Sequence, residues 1–209
     1  MQLNNTTNMM KQTTVLTILL GALSVVSAQE RLSQEEALKY ATIVSADAKQ
    51  LKGTPIPTDV DTKKPVAVRE EDFGGMVLPQ KNLTAESLAK AGKEVTPVGQ
   101  LWLYQLTPMK DGEAIGADKL RLATLNADGT EVKAPQCALG VRRTEAGTLE
   151  LLVFGKGKEP LLTAPLKAID TKQEMPLDIT AVRESESGKL TLKILGKYQA
   201  SIHVTLLDT

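Results

Sequence analysis

One cysteine, Cys137, and one histidine, His203, stand in a chain of 209 residues, and their scarcity excludes a good deal of chemistry. A lone cysteine rules out an intramolecular disulfide. One cysteine with one histidine also falls short of the ligand set of a tetrahedral zinc site built from those residues. Any mechanism that uses imidazole as base has only His203, and no Gly-x-Ser-x-Gly elbow accompanies it. Aromatic side chains make up 3% of the chain, too few for the rows of stacked rings that single-stranded nucleic-acid binders display. An excess of one charge is missing as well. With 25 Lys plus Arg against 25 Asp plus Glu, no global field draws the protein to nucleic acid or to an anionic membrane.

Long apolar runs are confined to the amino terminus. Residues Met1 to Lys11 are polar and carry one side-chain charge, Lys11, and an apolar stretch follows from Val15 to Val26, interrupted by Thr17, Gly21 and Ser24. Val26-Ser27-Ala28 then places small side chains where a signal peptidase must accept them. The expectation is an export signal over residues 1–28, cleaved between Ala28 and Gln29. A membrane anchor needs about 20 apolar residues, and this run is nearer a dozen. A lipoprotein needs a cysteine where Gln29 stands. The reading is therefore a periplasmic or secreted protein with no stable membrane anchor after cleavage. The lack of disulfides favours a bacterial setting.

After the signal the chain is long enough for one domain that buries a real core. Residues 29–94 read as a helical and Pro-rich region. Ser33-Gln-Glu-Glu36 forms a capping box with Leu32 at the staple position, and Ala37, Leu38, Ala41, Val44 and Ala48 recur at helical spacing, so a helix is expected over Gln34 to Leu51, ending at Gly53. Pro55, Pro57, Pro65 and Pro79 mark the stretch from Gly53 to Pro79 as a linker or small irregular hairpin. A short second helix is expected over Ala85 to Ala91, capped by Thr84 and stopped by Gly92.

Residues 95–209 read as an antiparallel β domain. Strand signals fall at Gly99–Leu106, Lys119–Leu125, Gln136–Arg143, Thr148–Phe154, Leu161–Leu166, Leu177–Arg183, Lys189–Leu195 and Tyr198–Leu207, separated by Gly, Asn and Asp turn chemistry. About eight strands joined mainly by tight hairpins suggest an antiparallel sandwich or an up-and-down barrel. Leu101-Trp-Leu-Tyr104 and Leu149 to Phe154 are apolar on both faces, which places them centrally, the amino-terminal helix being one candidate cover.

Several motifs carry a chemical reading beside a plainer one. Asn126-Ala-Asp-Gly129 has the alternating oxygens of a calcium loop, but Thr124 and Pro135 stand where its first and last carboxylates belong, and a hairpin turn suffices. Asp59-Val-Asp61 lies in Pro-rich chain where solvated carboxylates are the rule. Gly155-Lys-Gly-Lys158 lacks the spacing and following helix of a phosphate loop. The adjacent acids Glu70-Glu71-Asp72 do not meet the fixed separation that glycoside hydrolysis requires. Asn82-Leu-Thr84 fits a glycosylation sequon, while Thr84 already has a capping role.

Trp102 and Tyr104 share one strand face; their apolar neighbours Leu101 and Leu103 favour core packing, with a ligand or partner contact as the candidate alternative. No cofactor, metal or catalytic set is indicated. The function expected is a non-enzymatic binding or structural module that contacts a protein or glycan. The alternatives are a β-barrel carrier of an apolar small ligand and a carboxylate-dependent hydrolase.

Overall fold

The computed structural model describes residues 29–48, 55–71, 73–127, 129–184 and 187–208. The export signal with its boundary residue Ala28, and the expected helix end at Gly53, lie outside them.

The chain begins with a short edge strand β1 (Glu30–Arg31), the helix α1 (Gln34–Ala48), the hairpin β2 (Val66–Glu70) and β3 (Phe73–Pro79), a one-turn helix α2 (Ala85–Ala89), and β4 (Thr96–Tyr104). Strands β5 (Leu106–Lys110), β6 (Glu113–Ala114), β7 (Arg121–Ala127), β8 (Thr130–Arg143), β9 (Leu149–Phe154) and β10 (Leu162–Pro165) follow. The last are β11 (Lys167–Ala168), β12 (Leu177–Glu184), β13 (Ser187–Ile194) and β14 (Tyr198–Leu206). Among the described residues all strand pairings are antiparallel and make two sheets. The larger has eight strands in the order β1-β2-β3-β4-β8-β9-β10, with β7 also on β8; the smaller has six in the order β12-β13-β14-β5-β6, with β11 on β14. Two separate sheets packed face to face are a sandwich, so the closed-barrel option falls.

The stretch expected to be a linker or small hairpin is a hairpin and an integral part of the large sheet: β2 pairs with β3, and β3 pairs with β4 from Gly74↔Tyr104 to Pro79↔Gly99. The single strand expected over Gly99–Leu106 is two strands. Gln105 takes a left-handed φ of 56° and turns the chain from the large sheet into the small one. The strand expected over Leu161–Leu166 is β10, paired with β9, and a second crossing follows it at Leu166, after which β11 pairs with β14 of the small sheet.

The inter-sheet core follows the period-2 alternation of each strand. Val77, Leu101, Leu103, Leu139, Leu151 and Val153 of the large sheet face Leu177, Ile179, Leu190, Leu192, Ile194 and Ile202 of the small one, all buried. Burying each such side chain contributes roughly 1.5–3 kcal/mol, which makes this layer the main source of stability. Gly99 sits at a register shift in β4, with φ +154° and a would-be Cβ 2.3 Å from the Leu78 carbonyl oxygen and 2.7 Å from Leu177 Cδ1. Only glycine fits between the layers there.

The outer face of the large sheet is also apolar, and it is covered in two places. Leu32, Ala37, Ala41 and Val44 of the α1 segment pack on Ala67, Met76, Leu78 and Trp102, joined by Ala123, Leu125 and Ala134 of the β7–β8 hairpin. Ile56 covers Ala138, Leu152 and Phe154, with Val95 alongside. This explains why β4 and β9 are apolar on both faces.

Candidate functional site

A cleft of about 270 Å³ lies between α1, the outer face of β2–β4 and the β7–β8 hairpin. Its origin is a run of small residues. α1 turns Ala37 and Ala41, one helical turn apart and both buried, toward the sheet. In the sheet Gly74 stands in register between Arg69 of β2 and Tyr104 of β4, so no side chain fills the outward position between those two. The neighbouring row, Ala67, Met76 and Trp102, is filled and forms the floor. The helix leans mainly on β7, which leaves the space over β3 and β4 open.

Four of the chain's six aromatic residues, Tyr40, Phe73, Trp102 and Tyr104, line this one cleft. Trp102 and Tyr104, read from the sequence as one face of a strand, are brought together here in different settings: Trp102 is 3% exposed, whereas Tyr104 is half-buried. The Trp102 indole N–H donates to Gln100 Oε1 at 3.1 Å, and Gln100 Nε2 donates to Thr58 Oγ1 at 2.7 Å. Beside them Arg121, buried with its guanidinium basicity lowered by desolvation, donates to Gln136 Oε1 at 2.9 Å. Gln100, Trp102, Arg121 and Gln136 thus each have a partner in the sheet or its Thr58 flank, while Leu32, Ala37, Ala41 and Val44 of the α1 segment add apolar contact.

Arg69 and Glu71 also line the cleft and are exposed. Among the described residues they make no hydrogen bond or ion pair, and the Tyr40 and Tyr104 hydroxyls make no hydrogen bond; the charge of Arg69 does reach Glu36 on α1. Between Arg69 and Glu71 stands Glu70, whose carboxylate is occupied by Gln29 Nε2 at 3.1 Å and Arg183 at 3.7 Å.

The remaining sequence candidates are dispersed. His203 is on the outer face of β14, its Nδ1 3.5 Å from Glu184 Oε2, and Glu184 is also paired with Lys189, which holds its carboxyl below the ordinary range. Cys137 is fully buried between the sheets, and desolvation pushes its thiol up to about 12. Asp59 pairs with Lys81 and Asp61 with Lys64. Gly129 N donates to Asn126 Oδ1 in the β7–β8 turn, and Thr84 caps α2. Asp72 and Asp128 lie outside the described residues. Lys156 and Gly157 of the Gly155–Lys158 turn line a wider basin of about 650 Å³ with Lys110, Glu113, Asp118, Lys119 and Glu159. Its charges are mixed in sign and select no ligand class.

Sequence reasoning missed Tyr40, Arg69, Glu71 and Phe73 as members of the site. The signal that bore on them was Gly74-Gly75 in an apolar run, which in a strand marks a gap or a close approach. Gly74 supplies the gap, and Gly75 faces the other way, where an added Cβ would lie 3.2 Å from Ile179 Cδ1. No family model, curated protein or solved structure matches this chain.

Proposed function

We propose that this protein is an exported, non-enzymatic binding module whose recognition site is the aromatic cleft beneath α1, and that its partner is a protein that inserts an apolar group there. The gathering of four of six aromatic residues around one space carries the reading. Binding sites are enriched in aromatic side chains because these combine large contact area with little rotamer entropy to lose. Among the described residues the cleft lining contains one carboxylate, Glu71, and no Ser, Cys or His, so these residues offer neither a nucleophile–base pair nor two acids. A glycan is the weaker partner, since stacking on a sugar needs an exposed ring face and the Trp102 ring is buried.

Size supports one inserted group. A dry cavity of about 150 Å³ holds a benzene ring, and drug-sized ligands occupy roughly 300–1,000 Å³. The cleft lies between these.

Trp102 is the chain's only tryptophan, so its emission reports the cleft directly. Titration with toluene is expected to change that emission saturably, and Val132→Phe, which places a ring at a half-buried lining position, should abolish the response without loss of the folded far-UV signal. A response equal in wild type and Val132→Phe would sink the assignment of the site. Export has its own test: amino-terminal sequencing of the secreted or periplasmic protein should begin at Gln29.

A further inference from the structure

The cleft holds two charges of opposite sign, Arg69 and Glu71, that have no bonded partner among the described residues. Arg69 and Glu71 are exposed, so they stand where the cleft opens to solvent, and neither makes a hydrogen bond or ion pair among the described residues. They flank Glu70, which is already committed to Gln29 and Arg183. The interior behind them is apolar and aromatic.

We propose that the cleft receives one large apolar side chain from an extended peptide segment, and that Arg69 and Glu71 hold the backbone beside that side chain. Arg69 donates to a peptide carbonyl oxygen and Glu71 accepts from a peptide N–H. This deepens, and rests on, the reading of the cleft as the recognition site.

The charges select among occupants. A small anion would meet Arg69 but be opposed by Glu71, and a small cation would face the reverse. A bare hydrocarbon would fill the interior and leave both charges unused. A peptide unit is neutral and carries one acceptor and one donor, so it uses both signs together. A hydrogen bond to a charged group is stronger than one between neutral groups, so two of them add selectivity to a single buried side chain. Volume excludes a docked helix, which would present three or four side chains along its apolar face to a space that takes about one.

The test compares three probes on the intact protein by Trp102 emission: toluene, pentaglycine and the peptide Gly-Gly-Phe-Gly-Gly. The expected order puts the Phe peptide at least about fivefold tighter than toluene, a gain consistent with one or two added hydrogen bonds, with pentaglycine silent. Arg69→Ala and Glu71→Ala should each remove most of that gain, so that within each variant the Phe peptide binds about as tightly as toluene does. Toluene binding with no advantage for the Phe peptide overturns the peptide proposal and leaves the cleft reading standing. Failure of both probes overturns both. A Phe-peptide advantage that survives in both variants shows that the backbone is not held by these two residues, and the proposal fails.

Discussion

Cys137 shows how much of a residue's chemistry is decided by the layer it occupies. It faces inward on β8 with no exposure, and burial pushes its thiol up to about 12, so at neutral pH it remains protonated and out of reach of oxidants. Reactivity belongs to the thiolate. The native protein is therefore expected to give no reaction with a thiol reagent, to run as a monomer-sized band on a non-reducing gel, and to release one reactive thiol on unfolding in guanidinium. One equivalent of reaction in the native state would contradict the burial. The alternation of β4 made Trp102 and Tyr104 legible as one face, because a strand fixes side-chain direction every two residues. Gln105 was not legible: a glutamine at positive φ carries none of the Gly, Asn or Asp chemistry that announces a turn. Tyr40 and Phe73 escaped as well, since nothing local to either residue predicts that α1 docks over β3 and β4.

The element that matters most is α1. Its start was legible in Ser33-Gln-Glu-Glu36, and the structure shows the reciprocal cap: Glu36 N donates to Ser33 Oγ at 3.3 Å, while Ser33 N donates to Glu36 Oε2 at 3.1 Å. The bonds from the Ser33 hydroxyl and amide hold the Glu36 carboxyl below its ordinary value of 4.5. Because the folded value is depressed, the cap's contribution is fully present above the unfolded value and is lost as pH falls through the folded one. Acidification below about pH 4.5 is thus expected to loosen the start of α1, shifting Trp102 emission to the red before the far-UV signal of the sheets changes. Ser33→Ala should produce the same early shift at neutral pH. Coincident loss of both signals in both experiments would mean that α1 and the sandwich melt as one unit. What the helix covers could not be read from its own sequence, because Ala37 and Ala41 are compatible with many surfaces and only the pairing of β2, β3 and β4 creates the gap above Gly74.

At the scale of the whole molecule, the antiparallel sandwich was legible because turn residues recur at short intervals between alternating apolar runs. Strand order was not. β4 pairs with β8 across an excursion through β5, β6 and β7, and the crossing at Gln105 that permits it has no sequence marker. The amino-terminal region looked separable because prolines crowd it, yet β1, β2 and β3 complete the large sheet. The ion pairs Arg31–Asp178 at 2.7 Å and Arg183–Glu70 at 3.7 Å tie that region to β12 of the small one. Both arginines are half or more exposed, so each pair contributes at most about 1 kcal/mol. The apolar interior, with the outer-face cover of α1 and Ile56, does most of the holding, and it leaves one aromatic gap unfilled.

Occupation of that gap by an apolar side chain is read most directly by an amide-resolved NMR titration of the protein with Gly-Gly-Phe-Gly-Gly. Shifts are expected at the Trp102 indole N–H and at the backbone amides of Arg69, Gly74 and Tyr104, with the basin between Lys110–Asp118 and Lys156–Leu161 unaffected. Shifts concentrated in that basin, or on the outer face of β12–β14, with the Trp102 indole unmoved, would contradict it.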